Sequence, residues 1–278
     1  YKTKRLDKVF ELEREKISIK QRDNLELLKG KIEIKDLTFN YSDCLTPALS
    51  NISLKVEQGQ TLGIIGTIGS GKTTLMNLIT SLYNVERGRI FIDDKDINDI
   101  PLEIIRNSIC YITQDNFLFS TSLKNNINLF RDEYEDEEIE TSTKKALIYE
   151  EISNMPKGIN TVIGERGTDL SGGQKQRVVL SRAFLKQSSI VILDDTFSAL
   201  DNKTEEFLLQ NIRKLTDKKT CIIISNRISD VKHSDNIIVL DAGEIIEKGT
   251  HKQLLEQKGK YYSFYKQQST KKEKSFLD

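Results

Sequence analysis

The chain has 278 residues, and its 42 Lys and Arg balance its 42 Asp and Glu to a formal net charge of zero. Neutrality excludes bulk electrostatic capture of nucleic acid, which needs a basic excess, and the length gives one large domain or two modest ones with room for a core. With 37% hydrophobic and 30% charged residues the balance is globular, and apolar runs such as Ile190–Leu193 fall far short of a span across a bilayer.

Cys44, Cys110 and Cys221 show neither metal-site spacing nor a disulfide framework and read as reduced thiols. The first residue is Tyr1 and no signal-peptide pattern follows, so the chain is expected to be a fragment of something longer. Residues 1–28 are highly charged with a weak helical stripe (Leu6, Val9, Phe10) and read as a connector. Gly30 opens a strand pattern that passes through Ile32, Ile34 and Leu37 to Phe39 and Tyr41, and Ile52, Leu54 and Val56 alternate as its antiparallel partner. Residues 61–66 form a short buried strand that runs into a Gly-rich loop and a helix from Lys72. Further short strands are expected at 89–92, 108–113, 189–194, 220–225 and 236–240, with charged helical segments between several of them. This alternation implies an α/β core with a largely parallel sheet. Residues 120–186 interrupt it and read as mostly helical; their acidic stretch, Asp132 to Glu140, suits the positive end of a helix. From Lys266 the sequence is Lys/Ser/Gln-rich and is expected to fray.

Gly66-Thr67-Ile68-Gly69-Ser70-Gly71-Lys72-Thr73 fits G-x-x-x-x-G-K-[ST] between a strand and a helix, the context that a phosphate loop requires. Its glycines let backbone N–H groups turn toward phosphate oxygens, and the helix start adds a positive dipole end. Lys72 is expected to reach the β- and γ-phosphates, the Thr73 hydroxyl to hold Mg²⁺ and Thr74 to touch the α-phosphate. The apolar run 190–193 ends at Asp194, a second Mg²⁺ ligand beside the loop. Leu170-Ser171-Gly172-Gly173-Gln174 opens another helix with a second anion-binding nest. One subunit holds one γ-phosphate, so this nest makes sense for a nucleotide on another subunit.

In this order the motifs resemble the nucleotide-binding domain of an ATP-binding cassette (ABC) transporter, whose signature is LSGGQ. The resemblance covers roughly residues 30–267, with residues 1–29 matching the connector after a transmembrane domain and 268–278 left as a tail. It implies a P-loop NTPase cassette: a RecA-like parallel core, an antiparallel β subdomain and an α-helical signature subdomain over about 120–186. It implies ATP and Mg²⁺ as ligands, a second cassette and a transmembrane domain as partners, and a place on the cytoplasmic side of the membrane. Tyr41 matches the aromatic that stacks on adenine. Gln114 matches the glutamine that reaches Mg²⁺ and senses the membrane domain. Ser198-Ala199-Leu200-Asp201 matches the loop that crosses between cassettes, Asp201 included, and Ser171, Gly172, Gly173 and Gln174 match the signature that meets the partner's ATP. Thr161 to Gly167, with its GERG, and Gln114 through Phe117-Leu118-Phe119-Ser120 are similar to exporter-type cassettes.

Two positions depart from the pattern. The family usually has Glu after the strand-end Asp, and here stands Asp195; it usually has His in the switch loop, and here stands Asn226. Asp is shorter by one methylene, about 1.5 Å, and Asn cannot exchange a proton as imidazole can. Both changes touch hydrolysis and neither touches binding. The expectation is a degenerate half of a heterodimeric exporter: a slow site at Asp195 and Asn226, with the intact signature completing the partner's competent site. The alternatives are a homodimeric exporter that hydrolyses ATP itself and a non-hydrolysing regulatory subunit. A translation or repair protein and an importer fit less well, the first by its motif spacing and the second by GERG.

Overall fold

The computed structural model describes residues 27–42, 44–167, 169–197, 199–216 and 219–274. Residues 1–26 of the expected connector, Ser198 and the last residues of the tail, 275–278, lie outside these.

Two sheets form the frame. β1 (Ile32–Phe39) pairs antiparallel with β2 (Leu49–Val56), with Ile32 opposite Val56 and Ile34 opposite Leu54. β3 (Thr61–Gly66) leaves for the second sheet and α1 (Lys72–Ile79) follows it. β4 (Ile90–Ile92) and β5 (Lys95–Asp96) complete the first sheet in the order β2-β1-β4-β5. After α2 (Leu102–Ser108) come β6 (Ile109–Ile112) and then a helical excursion: α3 (Leu123–Asn128), α4 (Asp136–Lys145), α5 (Tyr149–Ser153) and α6 (Gly172–Leu185). The chain returns through β7 (Ile190–Asp194), α7 (Asn202–Thr216), β8 (Thr220–Ile224), α8 (Ile228–Val231), β9 (Asn236–Asp241) and β10 (Glu244–Gly249), and ends with α9 (His251–Gln257) and α10 (Lys260–Lys274). The second sheet has the order β10-β9-β3-β8-β7-β6; only β10 is antiparallel, at one edge.

Side-chain alternation along the parallel strands splits the core. Ile190 and Ile192 of β7, with Ile222 and Ile224 of β8, face the antiparallel sheet; Val191, Leu193, Cys221 and Ile223 face the helical excursion. The apolar runs that look unpatterned in sequence are thus strands buried on both faces. The acidic stretch does begin a helix: Glu138 accepts from the Glu135 N–H at 3.0 Å, and Lys144 and Lys145 lie in the last turn of α4.

β5 and β10 escape the sequence reading, the first because it is two residues long and the second because its residues alternate only between exposed and half-buried. The C-terminus corrects an expectation. Instead of fraying from Lys266, α10 continues to Lys274, so the boundary at 267 falls inside a helix. Its start is fixed by Tyr261, which is wholly buried, hydrogen-bonds His251 Nδ1 through its hydroxyl at 2.7 Å and donates its N–H to Glu247 Oε2 at 3.1 Å.

Candidate functional site

β3 delivers the phosphate loop from the middle of the parallel sheet. Gly66 is forced: a Cβ there would sit 2.1 Å from the Leu240 carbonyl oxygen and 2.7 Å from Ser70 Oγ. Gly71 precedes α1 with φ +100°, the left-handed region that an L side chain rarely adopts. Lys72 folds back over the loop and donates to the carbonyls of Gly66 at 2.8 Å and Thr67 at 2.7 Å. Its burial lowers its pKa, against the raising effect of Asp194 and Asp195.

Parallel pairing sets β7 beside β8, and β8 beside β3, so the end of β7 reaches the loop. Thr73 Oγ1 lies 3.3 Å from Asp194 Oδ2, and the Tyr111 hydroxyl donates to the same oxygen at 3.0 Å. Burial pushes the Asp194 carboxyl above its ordinary range even so. Asp195 follows with φ +47°, its N–H donating to the Ile224 carbonyl at 2.8 Å. Burial first, then repulsion from Asp230, raises its pKa, while Lys72 and Arg227 work the other way.

A cleft of about 510 Å³ is lined by Tyr41, Ile68, Gly69, Ser70, Gly71, Lys72, Thr73, Thr74, Gln114, Asp194, Asp195 and Asn226 among others. The structure thus gathers the residues expected for one nucleotide. Tyr41 packs edge-on against Phe39 and Tyr83, with centroids 5.1 and 5.3 Å away, and its hydroxyl lies 3.0 Å from Thr74 Oγ1.

Ser171, Gly172, Gly173, Gln174 and Asp201 do not line that cleft. Ser171 caps α6: its Oγ accepts from the Gln174 N–H at 3.2 Å, and Gln174 Oε1 accepts from the Ser171 N–H at 2.8 Å. Gln174 Nε2 donates to Glu151, which also pairs with Arg177 at 2.7 Å. The signature abuts the loop before α7: a Cβ on Gly173 would meet the Ala199 carbonyl at 3.2 Å, and the Ala199 N–H donates to Gln176 Oε1 at 3.1 Å. Asp201 Oδ1 accepts from the N–H groups of Lys203 and Thr204 at 3.1 and 3.0 Å, so it caps α7.

Sequence reasoning missed the support behind the switch. Ser225 Oγ donates to Asp230 at 2.6 Å, Arg227 pairs with the buried Glu205, and Gln268 Nε2 donates to the Asn226 carbonyl at 2.8 Å. No local motif marks these residues, although Tyr261, Phe264 and Gln268 stand at helical spacing. Tyr111 is legible only in hindsight, as the residue of β6 opposite Ile192.

The comparisons with known proteins agree with this geometry. The profile of the ABC transporter family matches residues 49–198. The chain is 41% identical over 251 residues to the ATP-dependent lipid A-core flippase of Vibrio cholerae, covering 88% of this chain and 43% of that protein. It is 41% identical over 241 residues to a putative multidrug export ATP-binding/permease protein of Staphylococcus aureus, covering 87% of this chain and 42% of that protein. The structure of a bacterial Atm1-family ABC exporter with ATP bound superposes with a TM-score of 0.88 at 31% identity, covering 96% of this chain and 47% of that chain. The chain therefore spans less than half the length of these relatives. Among the described residues no helix is long and apolar enough to cross a membrane. With the phosphate loop, the strand-end aspartate and the helix-capping signature set on two sheets and a helical excursion, the chain belongs to the ABC transporter family and has its cassette fold.

Proposed function

We propose that this chain is the ATP-binding cassette of an exporter, which binds Mg-ATP, closes against a second cassette and couples ATP hydrolysis to export through a transmembrane domain. Its place is the cytoplasmic side of the membrane. Its own site is slow, and its LSGGQ completes a competent site on a different half-transporter. The observation that carries this reading is that Asp195 and Asn226 line the same cleft as Lys72, Thr73 and Asp194, while Ser171 and Asp201 stand outside it.

The donor set fits Mg²⁺ bound with ATP. Among the described residues no group of three His, Cys, Asp or Glu is placed to hold a metal by itself, and Mg²⁺ characteristically relies on substrate phosphates with one or two protein oxygens. Thr73 and Asp194 supply those oxygens, and Gln114 lines the same cleft. The bound cation supplies charge neutralisation of the phosphates. The loop's N–H groups and Lys72 hold the phosphates, and Tyr41 faces the base. Asp195 stands where a general base polarises the attacking water. A displacement of ~1 Å at such a base costs on the order of 10²-fold, and Asn226 donates a hydrogen bond but relays no proton.

Mg-ATP hydrolysis by the chain, compared with Asp195→Glu/Asn226→His, tests this. A slow native chain and a variant faster by at least about 10-fold are expected. Native turnover at many cycles per minute overturns the slow-site assignment. The place of Asp195 in the cleft beside Lys72 and Asp194 is what favours the second reading, a homodimeric exporter in which Asp195 is itself a sufficient base. In the complete transporter Ser171→Ala should depress turnover more than Asp195→Ala; the opposite order overturns this assignment of roles.

A further inference from the structure

We propose that Gln268, on the C-terminal helix α10, is a positioning residue for the switch segment and aims Asn226 into the nucleotide cleft. This rests on the reading above that the cleft holds Mg-ATP with Asn226 toward its terminal phosphate. The Gln268 amide makes two bonds to the backbone: Nε2 donates to the Asn226 carbonyl at 2.8 Å, and Oε1 accepts from the Ile228 N–H at 2.9 Å. These two groups flank Arg227. One planar amide thereby fixes the peptide carbonyl of Asn226 and the first N–H of α8, where Arg227 provides no side-chain cap. The segment needs outside support. Asn226 is itself exposed, follows the buried Ser225 and belongs to no strand or helix.

α10 is well placed to act as a strut. At its first turn Lys260 pairs with Asp241, and Asp241 Oδ1 accepts from Thr67 of the phosphate loop at 3.4 Å. Gln268 lies eight residues on, about 12 Å along the helix. One helix is therefore linked to the phosphate loop through Asp241 of β9 and bonded directly to the segment around Asn226. Rotation of Asn226 away from the cleft spares the contacts of Lys72, Thr73 and Tyr41. Loss of Gln268 should accordingly slow cleavage and leave binding intact.

The test uses the full-length protein with Asp195→Glu as background, so that cleavage at this site is measurable in a single turnover. Gln268→Leu keeps helix propensity and removes both bonds; Gln268→Glu keeps the acceptor for Ile228 and loses the donor to Asn226. Gln268→Leu should slow γ-phosphate cleavage about 5- to 10-fold while the affinity for a fluorescent ATP analogue changes less than about 2-fold, and Gln268→Glu should slow cleavage at least as much, because a carboxylate oxygen then faces the Asn226 carbonyl. Combined with Asn226→Ala, Gln268→Leu should add no further slowing, because the side chain that it aims is gone. The inference is overturned if Gln268→Leu cleaves at the parent rate, if it slows cleavage equally with and without the Asn226 side chain, or if affinity falls in step with thermal stability. Failure of the unsubstituted protein to bind the Mg-ATP analogue would overturn the underlying reading instead, before any Gln268 variant is made.

Discussion

Thr73 Oγ1 and Asp194 Oδ2 stand 3.3 Å apart although 121 residues separate them in sequence. Two hard oxygens converge at the mouth of a loop rich in N–H donors, and the carboxylate is held there at a cost. Burial raises the Asp194 pKa above its ordinary 3.8. The native state then binds that proton more tightly than the unfolded chain does, so stability declines as pH rises from 3.8 through the raised value and stays lowered at neutral pH. Asp194→Asn should therefore raise the melting temperature of the nucleotide-free protein. It should also remove about 10-fold of the Mg²⁺-dependent gain in ATP-analogue affinity. Titrations with Mg²⁺ and with EDTA measure the second effect; equal Mg²⁺ dependence in both proteins contradicts the ligand assignment.

The phosphate loop should tolerate change unevenly. Gly66→Ala places a methyl 2.1 Å from a backbone oxygen of β9, whereas at Gly69 no neighbour lies within 4 Å and only its φ of +79° resists. Urea unfolding should show a loss of about 2 kcal/mol or more for Gly66→Ala and about 1–2 kcal/mol for Gly69→Ala. Equal losses would mean that β9 gives way.

Ser171 caps α6 in the cassette itself, and the proposed function gives it a second, separable role as a contact to a partner's nucleotide. Ser171→Ala should cost roughly 1 kcal/mol of stability through the lost cap. Ser171→Asp keeps a capping oxygen and adds a negative charge to the face proposed to meet a phosphate. Its stability should match the native protein while turnover of the complete transporter collapses. Turnover that simply follows stability across the two variants would remove the partner-site role.

Both histidines are held below their ordinary pKa of 6.5, His251 by burial and the nearby Lys232, His233 by burial and the charges of Arg213 and Lys232. Their neutral forms are native, so the stability that they contribute is fully present above pH 6.5 and is lost as pH falls toward their lowered values. Denaturation midpoints should drop from pH 7 to pH 5, and His251→Gln should flatten that slope. An unchanged slope in His251→Gln would place the acid sensitivity at His233.

The elements that carry long patterns were legible in the sequence. The phosphate loop, Asp194, the signature and the alternation behind β1 and β2 each depend on residues close together in the chain, where spacing and periodicity fix what the backbone can do. Asp195 and Asn226 were legible as departures because the surrounding motif supplies a register. The acidic stretch at 132–140 was legible because a helix start rewards negative charge locally.

Tertiary structure decided what depends on residues far apart. Tyr111 reaches Asp194 only because β6 lies beside β7. Gln268 looks like one more polar residue in a Lys/Ser/Gln-rich tail until α10, pinned by Tyr261, carries its amide to the backbone of Asn226. A hydrogen bond between distant segments leaves no periodic trace in sequence, because its partners are chosen by packing. The sequence therefore determined the cassette and the motifs that meet in its cleft, and packing determined which distant residues hold those motifs in place.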